Sequence, residues 1–331
     1  MLEDLSHDVP AGIVVFLVAL PLCLGVALAS GAPLMSGLIA GIIGGIVVAL
    51  MSASPLSVSG PAAGMAVMVL SAIQDLGSFE GFLLAAFLAG ALQVGLGLLG
   101  AGILGSIFPN AVIRGMLFAI GLILILKQLP HALGFGADPL VDETYSPETP
   151  GFILDEISEA ISSIAVGPFL VFLGAVAIIV IWDQLAKGRW SLASYIPGPL
   201  LAVLWGIGFE FLSRGTVLDL SSQHLVSLPV LQSLSHLFEG LNTPDFSQIT
   251  HPEIAVHAVQ IAVLASVETL LSIEALDRLD PLKRPTPRNR ELIAQGVGNL
   301  LSASLGGLPI TSVVVRSTTN LNAGARSRKA A

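Results

Sequence analysis

Ser57-Val58-Ser59-Gly60-Pro61-Ala62-Ala63-Gly64 stands where a third membrane crossing is due, and the apolar run that follows it ends near Ala72. That run is about half of the roughly 20 residues a helix needs to cross hydrocarbon. Ser59 or Gly60 can cap a helix, and Pro61 suits a first turn because it has no N–H to leave orphaned. The reading is a half-helix beginning near the bilayer midplane, with residues 54–60 crossing the other half in extended form. Irregular backbone at that depth is tolerated only where protein or a water-filled cavity satisfies it. A helix start there aims free N–H groups and a positive dipole end into the cavity, which outlines an anion site.

A counterpart follows about 250 residues later, at Gly306-Gly307-Leu308-Pro309-Ile310-Thr311-Ser312-Val313-Val314-Val315-Arg316. The glycines and the proline break an amphipathic segment, Thr311 or Ser312 can cap, and a new apolar helix begins. Counting crossings, it runs opposite to the third segment, so the two half-helix N-termini face each other. Paired interrupted segments in two repeats are a sequence pointer to a transporter binding site.

Composition supports a membrane reading. The 331 residues are 54% hydrophobic and 11% charged, against roughly 25% charged residues in a soluble domain. Apolar runs fall at about 9–29, 34–51, 61–72, 82–99, 111–126, 164–181, 196–212, 254–276, 292–305 and from 311 onward. The net charge of −9, with no basic patch, argues against nucleic acid. A single cysteine, Cys23, and scattered histidines argue against a disulfide framework, a structural metal or a cofactor. Residues 1–8 are acidic and lack the features of a cleaved signal, so the first run is expected to be a permanent span. No nucleophile lies beside a base, so an enzyme is not expected.

Residues 131–163 and 213–253 are acidic and read as loops on one side. With Met1 cytoplasmic, Arg114, Lys187, Arg189, Arg278, Lys283, Arg284, Arg288, Arg290, Arg326, Arg328 and Lys329 fall inside, and only Lys127 and Arg214 outside. That asymmetry follows the positive-inside rule. Gly37, Gly41 and Gly45 are read as a close-packing face. Gly95-Leu-Gly97-Leu-Leu-Gly100 matches a dinucleotide fingerprint only as a string, because it lies in a span. Glu268, in Ser266-Val267-Glu268-Thr269-Leu270-Leu271-Ser272, sits deep in the eighth run, where an acid is a functional candidate by default.

These residues resemble the SulP anion transporters, the sulfate-permease family. The resemblance rests on Leu20-Pro21 through Gly31, on Leu56 through Pro61, and on Pro109-Asn110-Ala111-Val112-Ile113-Arg114-Gly115. It continues with Ile196-Pro197-Gly198-Pro199, Glu268-Thr269-Leu270-Leu271, Asn289-Arg290-Glu291-Leu292, Gln295-Gly296 and Asn299. Gly306-Gly307 with Pro309, Arg316-Ser317, Asn320 and Ala323-Gly324-Ala325-Arg326 complete it.

The resemblance implies an all-α membrane protein of two inverted sevens, like nucleobase transporters, split into a core and a gate. The core would comprise residues 1–103 (spans one to four) and 254–331 (spans eight to ten). The gate would begin in 104–215 (spans five to seven), with 216–253 an extracytoplasmic loop. The second repeat is expected to be incomplete, with no cytoplasmic STAS domain, which makes a fragment or truncated product the expectation. The family's glutamine in the first span is replaced by Leu22, so substrate preference does not carry over.

The expected function is secondary active transport of a small inorganic oxyanion, bicarbonate or sulfate, across a bacterial inner membrane with a cytoplasmic N-terminus. The anion would meet the N–H groups of Ala62, Ala63, Gly64, Ser312, Val313 and Val314, with hydroxyls of Thr311, Ser312 and Ser272 and the charge of Arg316. Glu268, with Thr269 and Ser272, would couple transport to a cation. It would carry H+, because desolvation disfavours a carboxylate's charged form, or with Ser272 it would ligate Na+; glutamate favours H+. The plainer alternative is an ion pair of Glu268 with Arg316. Trp182 and Asp183 are read as interfacial, and a second copy of the full-length form is a candidate partner. Rival readings are a non-transporting scaffold or fragment, and a nucleobase transporter of the same fold.

Overall fold

The computed structural model describes residues 2–103, 110–134, 164–186, 198–220, 225 and 241–331. Pro109, Lys187, Arg189, Ile196, Pro197 and most of both long loops lie outside the described residues. The chain divides into two compact units, residues 1–115 with 230–331, and residues 116–229.

The first unit opens with α1 (Leu2–Ala29), carrying Pro10 and Pro21 within it. α2 (Leu34–Ile43) runs through a π-helical turn at Gly44–Val48 into α3 (Ala49–Met51). Gly37 faces the Cys23 carbonyl and Gly41 the Cys23 sulfur, where a Cβ at either would collide. Gly44, not Gly45, carries the close approach onward to the Ser59 carbonyl, while a Cβ at Gly45 would meet nothing within 4 Å. A seven-residue step returns a helix to within about 20° of the same face, whereas eight residues overshoot by about 80°.

β1 (Ser59–Pro61) leads through a 3-10 turn at Ala63–Met65 into α4 (Ala66–Leu76), which ends on Gly77 at φ +67°. α5 (Phe79–Leu98) is capped by Ser78, whose hydroxyl accepts from Gly81 N. Later in the unit come α9 (Pro252–Leu279), α10 (Arg288–Ser304), β2 (Ile310–Ser312) and α11 (Val314–Asn322). α5 and α10 cross with backbones nearly touching. A Cβ at Gly296 would lie 2.7 Å from Val94 N, and one at Gly90 would lie 2.7 Å from Leu300 N. Gly97 abuts the Asn289 carbonyl in the same seam, so the middle glycine of the apparent fingerprint serves helix packing, while a Cβ at Gly95 would meet nothing within 4 Å.

The second unit holds most of α6 (Asn110–Ala132), with α7 (Val166–Ala186) and α8 (Gly198–Ser213). α7 and α8 pack through Gly174 against the Trp205 indole, whose Nε1 donates to the Val171 carbonyl at 3.2 Å. Among the described residues five helical segments are long and apolar enough to cross a membrane: 7–29, 34–51, 79–98, 166–185 and 252–279. The 63–76 and 198–213 segments are apolar but shorter. Both outward-facing and inward-facing helix surfaces are rich in apolar side chains, as lipid contact requires.

One end of the first unit gathers cationic groups. Asp8 accepts from Arg326 N at 2.8 Å and from Ser327 N at 3.0 Å, and the Ser327 hydroxyl also donates to it. Arg284 bonds Asp280 and reaches the Arg326 carbonyl at 2.9 Å, and Arg328 donates to the Ser52 carbonyl at 3.1 Å. A cleft of about 230 Å³ lined by Gln74, Asp75, Gln248, His251 and Glu253 lies where the ends of α4 and the start of α9 meet.

Candidate anion and coupling site

The two half-helices start from one antiparallel ladder. β1 and β2 pair with Ser59 opposite Ser312, Gly60 opposite Thr311 and Pro61 opposite Ile310. Antiparallel strands lead out in opposite directions, so α4 and α11 leave the crossing with opposed N-termini. Both strands are fully buried, and the ladder satisfies backbone that lipid could not.

The ladder corrects the expected helix starts. Pro61 lies in the strand rather than in a first helical turn, and neither Ser59, Gly60, Thr311 nor Ser312 caps a helix. The caps are Ala62 (φ −106°, ψ 134°) and Val313 (φ −111°, ψ 113°), neither with a side-chain bond. Pairing holds the serines extended, and their hydroxyls serve the crossing instead: Ser57 Oγ and Ser312 Oγ lie 2.6 Å apart. Val58 N donates to Ser317 Oγ at 3.0 Å.

The six expected backbone ligands divide. Ser312 N donates to Thr269 Oγ1 at 3.3 Å and Val313 N to the Val58 carbonyl at 3.0 Å, so protein groups already engage both. Ala62 is buried, Ala63 is exposed and Gly64 is half-buried, a range the β2 side matches, with Ser312 buried and Val313 half-buried. Val314 is exposed, whereas Thr311 and Ser312 are fully buried.

Glu268 stands against the α4 start. A Cβ at Gly64 would lie 2.8 Å from Glu268 Oε1 and 3.2 Å from its Cδ, so the absent side chain leaves room for the carboxyl. Its Oε2 is buried and has no hydrogen-bond partner. Thr269, one position on, turns to β2 through Ser312 N, and Ser272 is buried one turn later on the Glu268 face. Glu268 and Thr269 thus meet the crossing, with Ser272 one turn further along the same helix.

Arg316 is only 2% exposed. Its Nη2 donates to the Pro61 carbonyl at 3.2 Å, its Nη1 occupies the space a Cβ at Gly60 would need, and its Nε has no partner. Among the described residues no ion pair joins it to Glu268. The simple Glu268–Arg316 pair is thus corrected: β1 draws the guanidinium to its own backbone. An uncompensated buried cation costs several kcal/mol, so the arrangement favours an incoming negative charge.

Sequence reasoning quoted Glu291, Gln295 and Asn299 without giving them work. On α10 they form, with Ser302, a buried polar stripe facing the crossing. Asn299 Nδ2 donates to the Ile310 carbonyl at 3.1 Å while its Oδ1 accepts Ile310 N at 2.5 Å, pinning β2 on both counts. Their spacing of four, four and three was the available signal.

Opposed half-helix starts, an intramembrane carboxyl and a buried guanidinium are the features by which relatives can be compared. The model of the Sulfate permease family matches residues 5–330. The chain belongs to this family. The bicarbonate transporter BicA of Picosynechococcus sp. is 26% identical over 337 residues, covering 98% of this chain and 55% of that protein. The putative sulfate transporter YvdB of Bacillus subtilis is 27% identical, covering 98% of this chain and 57% of the relative. The chain spans about half the length of these curated relatives.

Among solved structures, the transmembrane domain of a cyanobacterium bicarbonate transporter BicA aligns with TM-score 0.80 at 25% identity, covering 100% of this chain and 79% of that one. SLC26A9 aligns with TM-score 0.77 at 18% identity, covering 99% and 52%. The fold of this sulfate permease family chain is accordingly that of the part it covers of those all-α membrane domains, which share a seven-plus-seven inverted-repeat fold.

Proposed function

We propose that the chain forms the anion-binding part of a secondary active transporter for a small inorganic oxyanion, bicarbonate or sulfate. The observation that carries this reading is Arg316, a buried guanidinium with an unengaged Nε and no carboxylate partner, set on the ladder from which both half-helices start. Family relatives described as bicarbonate and sulfate transporters support the same substrate class. They also weigh against the nucleobase reading.

Binding would proceed at the α4 start, where Ala63 and Gly64 are open, with Arg316 supplying positive potential through β1. Glu268, with Thr269 and Ser272, is the coupling group rather than an anion ligand. A bare carboxylate 2.8 Å from a Cβ position at Gly64 repels an anion unless H+ or Na+ accompanies it. The cation and the anion then enter together, which is a coupling rule set by electrostatics. Glutamate with a lone orphan oxygen favours H+, since Na+ takes several oxygen ligands.

A core of residues 1–103 and 254–331 would move against a gate that begins in 104–215; the chain's two compact units follow this partition broadly, with boundaries at 115 and 230 instead. A cytoplasmic N-terminus in the cell membrane is supported by Asp8, Arg284, Arg326 and Arg328 meeting at one end, as the positive-inside rule places them. The test is uptake of radiolabelled sulfate and bicarbonate into proteoliposomes, with pH and Na+ gradients imposed separately. Accumulation of either anion driven by an inward H+ gradient is expected. Uptake of neither under any gradient would remove the transport reading.

A further inference from the structure

The α10 stripe contains one buried acid that the proposed site does not use. Glu291 is 0% exposed, and its Oε2 accepts from Ser52 Oγ at 2.5 Å while its Oε1 accepts from Gln295 Nε2 at 3.1 Å. The same Gln295 Nε2 donates to Ser59 Oγ in β1 at 2.7 Å. Asn299 and Ser302 hold the β2 side by its backbone, through Ile310 and the Leu308 carbonyl, and Asn299 also donates to Gln93 Oε1 on α5 at 2.7 Å. Gln295 alone in the stripe reaches a side chain of the first half-helix strand.

The orientation of the Gln295 amide needs a cause. Ser59 cannot choose it, because a hydroxyl both donates and accepts, whereas a carboxylate only accepts. Glu291 therefore turns Nε2 toward itself, and the second amide hydrogen falls on Ser59. The cost is visible: Gln295 Oε1 is left buried without a partner. Such an orphan costs about 1–3 kcal/mol, and the two bonds that Nε2 makes, to Glu291 Oε1 and to Ser59 Oγ, offset it. With one of its two lone pairs accepting from Gln295, the Ser59 hydroxyl keeps its own hydrogen to donate at the crossing, beside the Ser57–Ser312 hydroxyl pair.

We infer that Glu291 is a positioning residue for the anion site, acting through Gln295 to fix the donor sense of Ser59 and the seat of the strand that launches α4. The inference rests on the anion reading above. Without a negative acceptor at 291, the amide is free to turn, Ser59 donates back to Oε1, and β1 loses its directional tie to α10. Ser52, which holds the other oxygen, is itself fixed by Arg328 on its carbonyl.

The experiment measures binding of radiolabelled sulfate and bicarbonate, and melting temperature, for the purified protein in nanodiscs, comparing wild type with Glu291→Gln, Glu291→Asp, Ser59→Ala and the Glu291→Gln/Ser59→Ala double variant. Glu291→Gln is expected to weaken binding about tenfold, the size of a lost hydrogen bond to a charged group. Glu291→Asp keeps the charge and is expected to stay within about threefold of wild type, and the double variant to bind no more weakly than Glu291→Gln alone. A lowered melting temperature with unchanged affinity, or losses that multiply in the double variant, overturns the inference. Wild type that binds neither sulfate nor bicarbonate overturns the anion reading instead. The Glu291–Gln295–Ser59 tie is then judged by melting temperature, where non-additive shifts uphold it and additive ones remove it.

Discussion

Glu268 and Arg316 sit on the same crossing yet do not touch, and their separation is what makes each testable alone. Glu268→Gln keeps the side-chain volume against Gly64 and removes the ability to carry a charge-compensating cation. It is expected to abolish H+-driven uptake in proteoliposomes while sulfate binding persists, and unchanged H+-driven uptake would remove the coupling role. Arg316→Gln retains a donor for the Pro61 carbonyl but loses the positive charge. Sulfate affinity is expected to fall by about tenfold or more, since charge-assisted bonds are about twice as strong as neutral ones. An equal affinity in direct binding would show that the guanidinium serves the strand alone.

At the scale of elements, the α5–α10 seam depends on missing side chains. In Gly296→Ala the new Cβ would meet Val94 N at 2.7 Å and the Gly90 carbonyl at 2.8 Å, both backbone atoms that cannot swing aside. A loss of about 1–3 kcal/mol is expected from overpacking, read as a lower melting temperature. Gly45→Ala is the control, because nothing lies within 4 Å of its Cβ position and alanine is the better helix former. The two half-helices were legible in sequence because Gly and Pro interrupt apolar runs at Pro61 and at Gly306–Pro309. The ladder between them was not, since three-residue strands are too short to show an alternating pattern, and capping residues were assigned to positions that pairing holds extended. The Glu291–Ser302 stripe had a readable helical spacing, but spacing cannot say which backbone a buried amide will satisfy.

At the scale of the whole molecule, the first unit is assembled from segments more than 200 residues apart, and its cationic end shows how the pieces are tied. Asp280, at the end of α9, is 1% exposed. Burial opposes its charge, but hydrogen bonds from the Arg284 side chain and from the Leu282 and Arg284 N–H groups, with the Arg284 charge, outweigh burial and hold its carboxyl below the usual range. Arg284 in turn reaches the Arg326 carbonyl, beside the N–H groups that Asp8 accepts, so one carboxylate links the loop after α9 to the chain beyond α11 and to α1. A carboxyl lowered in the folded state contributes stability that is present above its unfolded value, about 3.9, and that fades as pH falls through the folded value. Asp280→Asn is therefore expected to lower the melting temperature at pH 7, with the gap from wild type closing as the buffer is taken below about pH 3.9 and through the lowered folded value. Melting of both proteins in nanodiscs across that range measures it. A gap that stays constant would mean that the contribution of Asp280 does not come from its charge.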